Sequence, residues 1–98
     1  MQVQMNAVHF KADEKLVTFI QEKMDKLEQY SDRIIDAEVF LKLESHGQVK
    51  EKLAEIRLKV PGDRLFAKGS DRTFEVAVDQ AVEGLRRSLR KYKDRRGN

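Results

Sequence analysis

The sequence contains no cysteine and a single proline, and none of its hydrophobic stretches is long. Without cysteine the chain has neither a disulfide nor a thiolate metal site, which fits a reducing cytosolic compartment. No apolar run reaches the length that crosses a bilayer, and the opening Met-Gln-Val-Gln-Met lacks the basic and apolar regions of a signal peptide. We therefore predict a cytoplasmic protein with no membrane partner.

The motifs of common catalytic and ligand sites are also missing. No glycine-rich phosphate loop is present, and the few serines suggest no Ser/His/Asp arrangement. His9 and His46 have no spacing typical of a metal site, so ordinary hydrogen bonding explains them better. A small α+β enzyme of the acylphosphatase type would need an anion-binding loop near an early strand, and none is visible. We predict no enzymatic activity, no metal and no cofactor.

Charge is what the sequence has in excess: 38% of its 98 residues are charged, while 40% are hydrophobic, enough to support a folded domain. Residues 86–98 carry seven basic side chains and one acidic one. Without them 13 basic and 16 acidic residues remain, so a net charge of +3 becomes −3. A mildly acidic body with a strongly basic end predicts a polyanionic partner such as nucleic acid.

Hydrophobic periodicity predicts a single domain over residues 1–98 with the element order β-α-β-β-β-α. The predicted strands cover about 2–8, 34–44, 52–60 and 64–69; the helices cover about 13–29, beginning at Asp13, and the region after a cap at Ser70 or Asp71. Pro61-Gly62 marks a turn. The pattern predicts an α+β fold, a four-stranded mixed sheet with two helices packed on one face and the other face in solvent.

Alternation within the strands assigns side chains to the two faces of this sheet. In the second strand Ala37, Val39, Leu41 and Leu43 are predicted to face the helices. Phe40 and Phe66 are predicted to point to the open face. Aromatic residues on a sheet can stack on bases, as in some RNA-binding modules. No RNA-binding motif surrounds them, so a small hydrophobic patch is the favoured interpretation.

The basic residues of the last helix surround its apolar stripe of Phe74, Val78, Ala81, Val82, Leu85, Leu89 and Tyr92. At 100° per residue, Arg86, Arg90 and Lys93 occupy one flank, and Arg87 and Lys91 lie on the far side. Arg95 and Arg96 follow where the helix is predicted to fray. Complementing the helix dipole accounts for one or two of these cations but not for seven, so we favour anion binding.

Lys23 lies inside the apolar arc of the first helix, between Phe19, Ile20 and Leu27. Its stem can pack while its ammonium escapes, either simply to solvent or to a groove between the two helices. Lys26 would flank it there.

These features together resemble a known family, the short ribosome hibernation promoting factors, which belong with the ribosome-associated inhibitors and sigma-54 modulation proteins. The resemblance covers essentially the whole chain. It rests on the element order, on His9-Phe10 before Asp13, and on Glu-Lys-Met-Asp-Lys-Leu at 22–27. It rests most on Ala-Val-Asp-Gln-Ala-Val-Glu-Gly-Leu at 77–85, followed by Arg-Arg-Ser-Leu-Arg-Lys-Tyr-Lys at 86–93.

The resemblance implies a βαβββα fold like that of a double-stranded RNA-binding domain. It implies binding in the messenger and transfer RNA channel of the small ribosomal subunit, which blocks translation in stationary or stressed cells. It leaves open a second factor for ribosome dimerisation and implies a monomer off the ribosome. Ribosomal RNA would be contacted by Lys23, Lys26, Arg86, Arg87, Arg90, Lys91 and Lys93, with Arg95 and Arg96 adding charge beyond them.

Two departures from the family pattern are visible. The last helix opens with Asp-Arg-Thr-Phe at 71–74, where the family often has an Asp-Met-Tyr-like segment. The sequence also stops at Asn98 without the long form's dimerisation domain or the inhibitor subgroup's acidic tail, so we expect no ribosome pairing through such a domain. The alternative hypothesis is a general double-stranded RNA-binding module. Such a module needs a basic start to its last helix, whereas here the cations crowd the end.

Overall fold

The computed structural model describes residues 1–95, without the side chain of His46, and has the predicted element order. The strands are β1 (Gln2–Val8), β2 (Asp36–His46), β3 (Val49–Val60) and β4 (Asp63–Asp71); the helices are α1 (Glu14–Tyr30) and α2 (Phe74–Arg95). β1 pairs with β2 in parallel, and β2, β3 and β4 pair antiparallel, so the sheet order is β1-β2-β3-β4. The predicted α+β fold with a mixed four-stranded sheet is confirmed.

One hydrophobic core joins the inner face of the sheet to the apolar stripes of both helices. Val39, Ile56 and Leu58 supply the centre of the sheet's inner face and are almost fully buried. The whole predicted stripe of α2 is buried with them, and Ala77 adds to it. Both helices therefore lie on one face of the sheet, and the strands present polar residues on the other, as their alternation predicted.

The helix starts differ in how well the sequence located them. Asp13 caps α1 as predicted, because its Oδ1 accepts a hydrogen bond from the Leu16 backbone N–H at 2.8 Å. The predicted cap of α2 was wrong. Ser70 and Asp71 belong to β4, whose pairing with β3 continues until Asp71 lies opposite Lys52. The Oγ1 of Thr73 accepts instead from the Val76 N–H at 3.2 Å.

The β2–β3 hairpin is longer than predicted and exposes a residue assigned to the core. β1 ends opposite Lys42 and β4 ends opposite Lys52, so the β2–β3 pairing loses β1 at Leu43 and is a two-stranded ribbon from Glu44 onwards. The tight turn shrinks to Gly47-Gln48, with Gly47 in the left-handed region at a φ of 65°. Leu43 was predicted to be buried, yet it is 52% exposed because it lies where the ribbon leaves the four-stranded sheet.

A close backbone approach and a hydrogen bond to the β3–β4 turn help to hold α2 against the sheet. A Cβ on the buried Gly69 would overlap the Ala77 carbonyl oxygen, so only glycine permits this distance between strand and helix. Further along, the Tyr92 hydroxyl donates a hydrogen bond of 2.6 Å to the Pro61 carbonyl oxygen in the β3–β4 turn. The basic end of α2 is therefore held against the sheet rather than left to project from it.

Candidate functional site

The surface between the two helices holds the basic residues that the sequence singled out on their facing flanks. Lys23 contacts Asp79, and about two turns later along both helices Tyr30 contacts Arg86, so α1 and α2 run in the same direction side by side. We call this surface the interhelical face. Its members are Lys23, Lys26 and Tyr30 of α1, Arg33 of the following loop, and Asp79, Glu83, Arg86, Arg90 and Lys93 of α2.

Lys23 reaches the interhelical face as predicted from its position in the apolar arc. Its side chain is 31% exposed, and its Nζ lies 5.4 Å from the centroid of the Phe19 ring. The ammonium also forms an ion pair with Asp79, with Nζ and Oδ1 2.8 Å apart. Sequence reasoning missed this partner, because nothing along the chain indicates which residue of α2 faces Lys23. The carboxylate holds the ammonium between the helices rather than letting it move freely in solvent.

Arg86 lies next along the face and is also held from both helices. Its guanidinium carbon lies 5.9 Å from the centroid of the Tyr30 ring, and its Nε lies 3.8 Å from the Glu83 Oε1. That ion pair is too long to be a hydrogen bond, and the buried Nε has no hydrogen-bond partner within the described residues. A buried donor without a partner lowers the stability of the free protein. A bound anion could accept a hydrogen bond from this Nε once the Arg86 side chain rearranges.

Arg90 and Lys93 open onto a groove of about 690 Å³ between the end of α1 and the end of α2. Both side chains are exposed, and neither forms an ion pair within residues 1–95. Arg33 lines the same groove and adds a third cation. The sequence analysis missed Arg33; recognising that parallel helices bring their C-terminal ends together would have found it. Asp32 and Asp94 also line the groove, so its three cations face two carboxylates and its net charge is only slightly positive.

The remaining predicted contact residues do not all share this surface. Lys26 is exposed one turn after Lys23, whereas Arg87 and Lys91 are exposed on the side of α2 away from the core stripe. Arg95 was predicted to lie where the helix frays, but α2 continues to it and its Nη2 pairs with Asp63 Oδ2 at 3.2 Å. This pair points to the β3–β4 turn, on the opposite flank from Arg90. Arg96 lies outside the described residues.

The side chains described for residues 1–95 include no group of three His, Cys, Asp or Glu that could hold a metal ion. Within those residues neither helix is long and apolar enough to cross a membrane. The interhelical face, with its cations spaced along two parallel helices, is the arrangement best suited to bind the phosphates of a nucleic acid.

Comparison with known proteins agrees with the sequence motifs. The profile of the family described as sigma 54 modulation protein / S30EA ribosomal protein matches residues 3–97. A ribosome hibernation promoting factor of Escherichia coli K12 is 32% identical over 95 residues, covering 97% of this chain and 96% of that protein. A ribosome hibernation promotion factor of Deinococcus radiodurans is 31% identical over 94% of this chain, which spans about half (49%) of that relative.

The fold has a close counterpart among solved structures. A ribosomal subunit interface protein of Coxiella burnetii superposes with a TM-score of 0.86 over 96% of this chain and 99% of that one, at 20% sequence identity. At this identity the likeness concerns the fold alone, and it agrees with the arrangement of four strands and two helices described above. The family match over nearly the whole chain and the relatives above 30% identity lead to one conclusion: the chain belongs to the sigma 54 modulation protein / S30EA ribosomal protein family, which contains the non-enzymatic ribosome hibernation factors.

Proposed function

We propose that this chain is a ribosome hibernation factor, which binds the small ribosomal subunit in the messenger and transfer RNA channel and inhibits translation in stationary or stressed cells. Its family membership and the names of its relatives support this proposal. The observation in the structure that carries it is the interhelical face, where cations from α1, α2 and the Arg33 loop line one continuous surface. Such a factor works in the cytoplasm and needs no cofactor.

The proposed mechanism is steric occlusion held by phosphate contacts. Lys23, Lys26, Arg86, Arg90 and Lys93 would contact ribosomal RNA across the interhelical face. Each cation that meets a phosphate releases condensed counterions, which favours binding without reading the sequence of the RNA. Arg87, Lys91, Arg95 and Arg96 would add contacts around the end of α2. The body of the domain would then occupy the channel, so that messenger and transfer RNA cannot enter.

Lys23 and Arg86 differ from the other cations because each has a carboxylate partner in the free protein. Asp79 holds the Lys23 ammonium between the helices, so less side-chain freedom is lost at Lys23 when RNA binds, while the longer pair with Glu83 restrains Arg86 only weakly. A phosphate that replaces Asp79 would meet a Lys23 ammonium already in place, whereas Arg86 would have to rearrange to donate from its Nε. Arg90, Lys93 and Arg33, which lie at the open end of the face, would supply attraction at longer range.

Sedimentation with purified small ribosomal subunits, in the presence of excess competitor duplex RNA, tests this proposal. We expect the protein to co-sediment with the subunits and to inhibit a cell-free translation reaction over the same concentration range. If duplex RNA removes the protein from the subunits at equal nucleotide concentration, the chain is a general duplex RNA-binding module instead.

A further inference from the structure

The open face of the sheet carries an exposed aromatic ring that the interhelical face does not use. Phe66 lies in β4 with 64% of its surface exposed, the largest exposed fraction among the large hydrophobic residues described. β4 has only one neighbour, so it forms an edge of the sheet. Edge strands are usually protected from aggregation by charge, and an exposed phenylalanine at the centre of one works against that protection. Its position therefore requires an explanation.

Four cations, and the carboxylate of Glu55 opposite Lys68, share the outer face of β3 and β4 with this ring. Arg64 and Lys68 lie two residues before and after Phe66 in β4, about 13 Å apart at the usual rise per strand residue. Arg57 is the direct cross-strand neighbour of Phe66, and Lys59 pairs with Arg64. Charged residues are expected on an exposed edge strand, where they prevent aggregation. Cations on either side of an exposed aromatic ring are also what the stacking of a nucleic-acid base requires.

The neighbouring strands define where a ligand would run. Arg57 is turned away from Phe66: its guanidinium carbon lies 4.7 Å from the centroid of the Phe40 ring, and its Nε pairs with Glu55 at 2.9 Å. A shallow depression of about 410 Å³ lies beside Phe66 and reaches Asp36 and Glu38 of β2. These carboxylates repel phosphate, so a polyanion would follow β3 and β4 and place its bases over the depression.

From this arrangement we infer that the open face of the sheet is a second nucleic-acid site, which binds single-stranded RNA by stacking a base on Phe66 between the cations of β3 and β4. Stacking tolerates any base, because every base has an aromatic face, so the site selects single strands rather than a sequence. It lies on the opposite side of the sheet from the interhelical face, so both surfaces can be occupied at once. The inference does not depend on ribosome binding.

Fluorescence anisotropy with a short labelled oligouridylate, in the absence of ribosomes, tests this site. All measurements are made in a background of Arg90→Ala and Lys93→Ala, which reduces attraction by the interhelical face. We expect Phe66→Ala to weaken binding about 5- to 150-fold, the range found when a stacking aromatic is removed. Phe66→Tyr should retain most of the affinity. Val76→Ala, which trims another exposed apolar side chain on α2, should have no effect.

Phe66→Leu separates stacking from a merely apolar contact. Leucine keeps a hydrophobic side chain but has no ring, so it should bind as weakly as alanine does. Wild-type affinity in either variant would overturn the inference. In Phe66→Leu it would indicate an apolar docking patch, and in Phe66→Ala it would show that Phe66 does not contact the RNA. Photocrosslinking with 4-thiouridine in the oligonucleotide should label the peptide that contains Phe66, and crosslinks confined to α1 and α2 would equally contradict the site.

Discussion

At the scale of single residues, Lys23 shows how a charge can be accommodated at the margin of a hydrophobic core. Its stem lies in the apolar arc of α1, while its ammonium meets Asp79 at the interhelical face. Both partners keep part of their surface in solvent, so the ion pair contributes only about 0–1 kcal/mol to stability. The value of the position therefore lies in where it places the ammonium.

Lys23→Met should separate folding from binding. Methionine keeps most of the apolar stem, so the free energy of unfolding should stay within about 1 kcal/mol of wild type. Loss of a phosphate contact should weaken binding to small subunits and reduce the salt slope by about one. Lys15→Met removes the same charge from an exposed position nearer the start of α1 and is the matched control. Equal binding by the two variants would show that Lys23 contacts no phosphate.

Asp79→Asn should have the opposite effect on binding. The substitution removes a carboxylate from a surface proposed to meet phosphates, and Coulomb repulsion at about 6 Å in water corresponds to roughly threefold in affinity. Subunit binding at low salt should therefore tighten by about that factor. Asp25→Asn, on α1, removes the same charge without belonging to the interhelical face, and corrects for the change in net charge. Weaker binding by Asp79→Asn would mean that positioning Lys23 matters more than removing the carboxylate.

At the scale of elements, the contact between β4 and α2 determines where the basic helix lies. Gly69→Ala would force its Cβ against the Ala77 carbonyl oxygen, which is backbone and cannot move aside cheaply. We expect a loss of about 3 kcal/mol or more in the free energy of unfolding, measured by urea denaturation. The control is Gly47→Ala in the exposed hairpin turn. Its strain at positive φ should cost only about 1–2 kcal/mol, since nothing lies within 4 Å of the added Cβ. A smaller loss at Gly69 than at Gly47 would contradict the packing described.

The end of α2 allows an organised face to be distinguished from a basic tail. Arg90→Ala with Lys93→Ala removes two cations from the interhelical face, and deletion of residues 95–98 removes two others. At about 0.1 M salt, loss of two phosphate contacts should weaken subunit binding roughly tenfold to a hundredfold. The deletion should cost much less, because Arg95 is directed to Asp63 on the other flank. If the deletion proves more damaging in sedimentation assays, a basic tail rather than the face performs the binding.

At the scale of the whole molecule, the cations divide between two sides of the sheet. The helices carry the interhelical face on one side, and β3 and β4 carry the cations around Phe66 on the other. Together these two surfaces carry ten of the chain's 20 lysine and arginine residues. A small domain of this design can meet a polyanion on one side while leaving the other free for a second strand.

Salt dependence measures the polyelectrolyte character of the whole interface. With about six effective phosphate contacts, log K for small-subunit binding should fall by about 4 to 5 per tenfold increase in salt. Sedimentation binding over a series of potassium chloride concentrations gives this slope directly. A slope near zero would show that contacts other than phosphate ion pairs hold the complex, and the proposed role of the interhelical face would then be wrong.

Much of the fold was predictable because its signals are local. The period of the apolar residues predicted the order of the six elements, and Asp13 located the start of α1. The α2 stripe from Phe74 to Tyr92 was buried as the helical period required. The misplaced cap at Ser70 or Asp71 and the exposed Leu43 share a cause. Both depend on how far neighbouring strands stay paired. The residue propensities of a single segment carry no information about the extent of that pairing.

The sequence by itself determined that the chain has a basic end and that its helices have apolar stripes. It also determined that the Lys23 ammonium must emerge at the edge of the apolar stripe of α1. These follow from composition and periodicity. Only the tertiary structure decided that Lys23 meets Asp79, that Arg33 joins Arg90 and Lys93, and that Arg95 turns away to Asp63. The physical reason is that a charge acts through its neighbours in space, and packing of the helices on the sheet chooses those neighbours.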